Sequence, residues 1–253
     1  MQSWRWSLIE PAPAWLIAQP FAHRGLHRDA IIENSRAAII AAIAAGHGIE
    51  CDVRVSSDGI AFVFHDAELD RLTGESGTFE SKPAAMLDAI RLKQTDETIP
   101  RLDAVLAQIG RRVPMLIELK SPDRNVAPLC AAVAQSLCAY RGDAAVMSFN
   151  PQVGAWFARN AADVVRGLVV TEHNRRGWKG AVSRRIALWR SRPDFLAYDV
   201  RDLPSCFASR HRSQRLPVLT WTVRDSSTLA AATAHADQII HELPVAELDR
   251  QSI

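Results

Sequence analysis

His23-Arg24-Gly25, Glu50-x-Asp52, His65 and Glu118-x-Lys120 are the segments of this chain whose residue types and spacing suit catalysis. Side chains two apart in a strand share a face, so Glu50 goes with Asp52 and Glu118 with Lys120. Three converging carboxylates without cysteine select a hard divalent cation, Mg²⁺, Ca²⁺ or Mn²⁺. Coordination would also offset the cost of placing acids at an inward face. His23 and His65 titrate near neutrality, so the pair can take one proton and give another in a single displacement. Arg24 offers a planar fork for phosphate oxygens, and Lys120 adds a second positive charge. Together these groups ask for a substrate with anionic oxygens. The bland alternative, three acids paired with Arg24, Arg54 and Lys120, suits each acid singly but does not explain the set.

Several neighbours carry weaker signals. Glu33 and Asn34 follow His23-Arg24 closely and could orient them; helix capping explains Asn34 equally well. Trp221, within Thr220-Trp221-Thr222, suits an apolar wall for the organic part of a substrate or plain packing. His27, His47, His173, His211 and His235 read as ordinary core or surface histidines. The basic cluster Arg175, Arg176, Lys179, Arg184, Arg185 reads as a solvated helix face.

These residues need a scaffold that gathers strand ends. Short apolar runs recur at Pro20–His23, Ile49–Val53, Met115–Leu119, Ala144–Ser148, Val164–Val169, Phe195–Tyr198, Pro217–Trp221 and Gln238–Ile240, with helical patterns between them. Eight strands alternating with helices predict an α/β fold, a single (β/α)₈ TIM barrel whose active site lies at the C-terminal ends of its strands. The candidates sit at such ends. A ninth run, Ile60–Phe64, follows the turn signal Ser57-Asp58-Gly59 and folds back as a hairpin arm. A turn centred between Asp58 and Gly59 pairs Val53 with Phe64, Val55 with Phe62 and Asp52 with His65. It puts Glu50, Asp52, Arg54, Val63 and His65 on one face. The expected organisation is one domain over 1–253, the barrel starting near 19 and a small hairpin-containing insertion after the second strand, about 54–112.

Composition agrees. With 253 residues, 48% hydrophobic and 23% charged, the chain can bury a large core and is neither disordered nor coiled-coil. Its net charge of +2 argues against a nucleic-acid partner. No apolar run reaches the roughly 20 residues of a membrane span, and Glu10, Pro11 and Pro13 interrupt any leader, so the expected location is cytoplasmic. Trp4, Trp6 and Trp15 are expected to close the barrel bottom, with membrane-surface contact by that segment a lesser reading. Cys51, Cys130, Cys138 and Cys206 read as reduced, mostly buried thiols. A P-loop, GxSxG and HExxH are absent.

With these residues assembled, the chain resembles the glycerophosphodiester phosphodiesterase family. The likeness runs through HRG at 23–25, EN at 33–34, ECDVRVSSDG at 50–59 and HD at 65–66. It continues through LDRLTGESG at 69–77, IPRL at 99–102, IELK at 117–120, SFN at 148–150, TWTV at 220–223 and II…P at 239–244. It implies hydrolysis of a small glycerophosphodiester to glycerol 3-phosphate and an alcohol. It also implies a divalent cation on Glu50, Asp52 and Glu118, His23 and His65 as acid and base, Arg24 and Lys120 on the phosphate, and Glu33 in the surrounding shell. Ile32 stands where the family usually has proline. His241-Glu242 replaces its frequent Thr-Asp pair, which leaves a polar role there open. The short insertion favours the compact form of the family. The same residues also suit a lysophospholipase D-like or other phosphodiester hydrolase, or a catalytically silent phosphate-binding barrel.

Overall fold

In a computed structural model, which describes residues 12–248, short apolar runs form strands and the stretches between them form helices, in alternation. The strands are β1 (Phe21–Ala22), β2 (Gly48–Val55), β3 (Ala61–Val63), β4 (Met115–Leu119), β5 (Ala144–Ser148), β6 (Val165–Val170), β7 (Phe195–Asp199), β8 (Val218–Val223) and β9 (Gln238–His241). Eight of them, all but β3, run parallel in the order β1-β9-β8-β7-β6-β5-β4-β2, and a β1–β2 pairing closes the ring. Helices α1 (Arg36–Ala44), α2 (Ala84–Leu87), α3 (Leu102–Ile109), α4 (Ala127–Cys138), α5 (Pro151–Asn160), α6 (Trp178–Ser191), α7 (Cys206–Ser213), α8 (Ser226–His235) and α9 (Val245–Leu248) complete the barrel. This is the expected (β/α)₈ fold. Among the described residues no helix is long and apolar enough to cross a membrane.

Alternation sorts each strand into two cores. Inward positions deep in the ring are apolar: Phe21, Leu116, Ala145, Val169, Phe195, Leu219 and Ile240 form one buried cluster. Outward positions such as Cys51, Val53, Ile117 and Val146 pack on α1, α3, α4 and α5. Two strand glycines answer to this interior. A Cβ at Gly48 would lie 2.5 Å from the Phe21 ring, and one at Gly167 would lie 2.4 Å from the ring of Phe195. Large rings therefore plug the barrel where the neighbouring strand has no side chain. From two residues further along the same inward rows, β2 carries Glu50 and Asp52 and β4 carries Glu118. The apolar plug is the floor on which the polar site stands.

The hairpin arm forms, but its register differs by one residue from the expectation. Val53 faces Val63, Arg54 faces Phe62 and Val55 faces Ala61. The loop holds three residues, not two. Ser56 N–H bonds Ile60 O at 2.9 Å, the Ser56 hydroxyl donates to Asp58 Oδ1 at 2.6 Å and accepts from Ile60 N, and Gly59 takes φ +89°. That geometry, closed by a left-handed glycine, favours the longer loop. A one-residue slip exchanges the faces. Val63 joins the outer barrel core, whereas Phe62 and Phe64 turn to a separate cluster with Leu69, Phe79, Leu87 and Ile99 in the insertion. Asp52 O accepts from Phe64 N–H at 2.9 Å, so His65 leaves the arm just beyond the last paired residue.

At the other end of the barrel, Trp15 and Leu16 pack against the interior cluster; Trp4 and Trp6 lie outside the described residues. All four cysteines are free, but only Cys51 and Cys130 are buried, and Cys138 and Cys206 are exposed on helices.

Candidate active site

Register brings the three acids together. Asp52 on β2 stands directly beside Glu118 on β4, and Glu50 lies one inward position below Asp52. All three are buried, at 1% exposure for Glu50, 0% for Asp52 and 7% for Glu118. One oxygen from each lies within 4.8 Å of the others. The first loop delivers the next groups. Arg24 and Asn34 have positive φ, 56° and 59°, uncommon for residues with side chains. Gly25, at φ +77°, leaves no room for a Cβ, which would meet Ala38 Cβ at 2.8 Å. This tight course aims Arg24 N–H at Glu50 Oε2, 3.0 Å away.

Each acid has a different set of partners. Lys120 Nζ donates to Glu118 Oε1 at 2.6 Å and lies 2.9 Å from Asp52 Oδ1. Asp52 Oδ2 accepts from Asn34 Nδ2 at 2.9 Å and lies 3.2 Å from Arg24 Nε. Glu50 Oε1 is buried and has no hydrogen-bond partner. Arg54 does not pair with these acids; it bonds Glu80 and the carbonyl of His65. Lys120 and Arg24 pair with Asp52 and Glu118 but leave Glu50 Oε1 bare, which plain ion pairing does not account for. The donor set, all carboxylate oxygen, fits a hard divalent cation.

The environment separates these groups electrostatically. Burial and the neighbouring Asp52 charge push Glu50 up to about 7, and burial also raises Glu118. Asp52 moves the other way: although burial opposes its charge, Lys120 and Arg24 hold it well below the usual carboxylate range. Lys120 is raised, because Asp52 and Glu118 outweigh its burial.

Both histidines are gripped at Nδ1 by a carboxylate. His65 Nδ1 lies 2.6 Å from Asp66 Oδ1. His23 Nδ1 lies 2.6 Å from Glu242 Oε1, and its Nε2 lies 3.9 Å from Glu50 Oε2. His23 is raised, since the Glu242 bond and the Glu50 charge overcome burial; His65 is lowered, chiefly by burial. Glu242 thus occupies the polar role that the replaced Thr-Asp pair left open, and Arg224 clamps it with Nε at 2.7 Å and Nη2 at 2.9 Å. Glu33 accepts from Arg24 Nη1 at 2.5 Å and also from Arg71 Nη2 at 2.7 Å, while Arg71 Nε bonds Asp66 at 2.5 Å. A continuous polar chain therefore runs from Arg24 through Glu33, Arg71 and Asp66 to His65.

Asn34 does not cap α1, because Ser35 does so by accepting from Ala38 N at 3.1 Å. Asn34 holds Asp52 instead, a task that residue type alone could not distinguish from capping. Sequence reasoning gave no role to Arg71, although it lies in the LDRLTGESG stretch, or to Arg224, because Glu33 and Glu242, the acids they bind, come from other loops. The pocket above these groups has a volume of about 390 Å³ and is bounded by Met147, Phe149, Asp199 and Trp221. The Trp221 indole is fixed by its bond to Ala197 O at 2.9 Å and meets Phe149 edge to face, ring centroids 5.5 Å apart. A larger cleft of about 500 Å³ shares Phe149 and extends toward α6, away from the carboxylates.

The chain is similar to known proteins in sequence and in fold. The profile of the Glycerophosphoryl diester phosphodiesterase family matches residues 23–246. The human protein Glycerophosphodiester phosphodiesterase 1 is 31% identical over 158 residues, which are 58% of this chain and 47% of that protein. Probable glycerophosphodiester phosphodiesterase 1 of Mycobacterium tuberculosis is 30% identical over 176 residues, 59% of this chain and 64% of that one. In these matches the chain spans about half to two thirds of the relatives' length. Among solved structures, an Oleispira antarctica phosphodiesterase in complex with the product sn-glycerol-3-phosphate superposes with a TM-score of 0.82 at 23% identity, covering 94% of this chain and 98% of that chain. A glycerophosphodiester phosphodiesterase from Agrobacterium tumefaciens gives a TM-score of 0.69 at 25% identity, covering 89% and 96%. The match over nearly the whole barrel makes this chain a member of the glycerophosphoryl diester phosphodiesterase family.

Proposed function

We propose that the site hydrolyses glycerophosphodiesters to glycerol 3-phosphate and an alcohol, with a divalent cation held by Glu50, Asp52 and Glu118. The observation that carries this reading is the buried cluster of three acids, with a bare Glu50 oxygen, set between two histidine–carboxylate pairs and two cations. Family membership and the product named for the Oleispira antarctica neighbour agree with it.

When bound, the cation supplies Lewis acidity to a non-bridging phosphoryl oxygen. Arg24 and Lys120 hold the other phosphoryl oxygens, and their charge matters most as negative charge grows there in the transition state. Glu33 keeps the Arg24 fork in place, and Asn34 keeps Asp52 in place. One imidazole takes the proton of the attacking hydroxyl, and the other protonates the departing alkoxide as the P–O bond breaks. His23 and His65 are shifted in opposite directions, which lets one carry the proton while the other lacks it. The attacking hydroxyl is water or the substrate's own neighbouring glycerol hydroxyl; the second route passes through a cyclic phosphate. Trp221 walls the organic part of the substrate.

A lysophospholipase D-like reading has an observation of its own. Phe149 is half exposed where the catalytic pocket meets the larger cleft, so an acyl chain carried on the glycerol has room to lie there. The test offers the full chain glycerophosphocholine, glycerophosphoethanolamine and a lysophosphatidylcholine with Mg²⁺, Mn²⁺ or Ca²⁺. Cation-dependent release of glycerol 3-phosphate from the first two is expected. Choline release from the third alone would select the lipid substrate. No hydrolysis with any cation would leave a silent phosphate-binding barrel.

A further inference from the structure

Helix α6 turns apolar side chains two ways: Ala187 and Leu188 pack on the barrel core, but a second apolar stripe faces outward. A surface helix normally turns its apolar stripe to the core. The inner face of α6, which packs on β6 and α5, includes small or polar residues: Gly180 and Ser191 are its buried positions, and Arg184 is largely covered and paired with Glu172 at 2.9 Å. Its outer face carries Trp178, Val182, Ile186 and Trp189, exposed by 74%, 44%, 53% and 72%. Spacings of four, four and three place them in one stripe along the helix. Lys179, Arg185 and Arg190 flank it, all exposed, and Lys179 Nζ lies 5.6 Å from the centre of the Trp178 ring. Between residues 173 and 193 the chain has seven bases, Arg175, Arg176, Lys179, Arg184, Arg185, Arg190 and Arg192, and no acid.

The chemistry of this face selects its partner. A second copy of the chain, paired about a two-fold axis, would set the stripe against itself and bases against bases. Nucleic acid would suit the arginines but leave Val182 and Ile186 uncovered. An anionic bilayer answers both features. Indole rings rest at headgroup level, aliphatic side chains enter the acyl boundary, and Lys and Arg extend along the surface to lipid phosphates. We propose that the outer face of α6 docks this protein on the surface of an anionic lipid bilayer. Through Gly180, Ser183, Arg184 and Ala187 the same helix walls the cleft that reaches Phe149, so docking holds that cleft beside the lipid. The proposal concerns binding alone and stands whether or not the reaction assigned above is correct.

Co-sedimentation of the full chain with vesicles tests it. Vesicles of phosphatidylcholine mixed with phosphatidylglycerol are expected to carry the protein down, and those of phosphatidylcholine alone to carry far less. Raising salt should weaken the interaction. The pair Lys179→Gln, Arg185→Gln is expected to lower partitioning about fivefold for each charge removed. Trp178→Ser with Trp189→Ser is expected to remove most of the remaining binding, with the circular dichroism spectrum unchanged. Failure to bind anionic vesicles at low salt overturns the proposal, as does binding that neither pair weakens. A dimer in sedimentation equilibrium that the tryptophan pair dissolves would assign the stripe to a second copy instead.

Discussion

His23 and Glu242 face each other at 2.6 Å across the seam where the first and last strands of the barrel meet. Ala22 and His241, the residues just before each, are partners in that seam, and His23 N–H donates to His241 O at 2.9 Å. Closing the barrel and orienting the imidazole are therefore one structural event. The carboxylate fixes which ring nitrogen is left to face the pocket, as an orienting acid does for a catalytic histidine elsewhere.

Glu242→Gln keeps a hydrogen-bonding side chain of the same length and removes its charge. Glu242 raises His23, so the pH–rate limb that belongs to His23 is expected to move to lower pH. Turnover should fall roughly tenfold or more, and Glu242→Asp should recover part of it. An unmoved profile in the glutamine variant would reduce Glu242 to a packing role.

His23→Ala and His65→Ala are each expected to lower turnover by about 10²-fold or more while the fold persists. Steady-state kinetics on the best glycerophosphodiester provides the measurement. Near-normal rates in both variants would remove acid–base catalysis from this pair.

Cation binding should appear in stability as well as in rate. A divalent ion at about 100 times its Kd stabilises the fold by about 2.7 kcal/mol, so Tm of the wild type should rise on adding Mg²⁺, Mn²⁺ or Ca²⁺. Glu50→Gln and Glu118→Gln should blunt that rise. Full activity in the presence of chelator would refute the carboxylate site.

His241 is buried beside His47, their ring nitrogens 3.2 Å apart, and burial with the charge of His47 pushes it down to about 3. The unfolded chain takes up this proton near 6.5 and the folded one only near 3. The group therefore costs the fold nothing above 6.5, and stability declines as pH falls from 6.5 toward 3. The slope is about 1.4 kcal/mol per pH unit for one proton. His241→Asn retains an acceptor for Leu243 N–H but cannot be protonated, so its melting temperature should fall less steeply over that window. Parallel curves for the two proteins would contradict the assignment.

Gly167→Ala would press a methyl group against the ring of Phe195 inside the barrel. A loss of about 1–3 kcal/mol is expected, read from urea unfolding. Phe195→Leu in the same chain should return part of it, and additive losses would show that the two positions do not touch.

The barrel was legible because each parallel strand is an apolar run buried on both faces, bounded by helical patterns, and a count of eight closes a ring. The acids were legible because Glu50-x-Asp52 and Glu118 interrupt those runs at inward positions. The hairpin register was not, since it turns on two bonds of the Ser56 hydroxyl that lengthen the loop by one residue. Glu242 was hidden for a different reason: its partner is 219 positions away, and only ring closure brings them together. Arg54 looked like a counter-charge for the acids, but its side chain leaves toward Glu80 in the insertion.

The insertion has an apolar centre of its own, in which Phe64 stacks on Phe79 at 5.1 Å, and it contributes Arg71 and Asp66 to the polar chain that ends at His65. A segment that buries its own aromatics, is paired to β2 and grips His65 through Asp66 makes a second core answerable for where that imidazole stands.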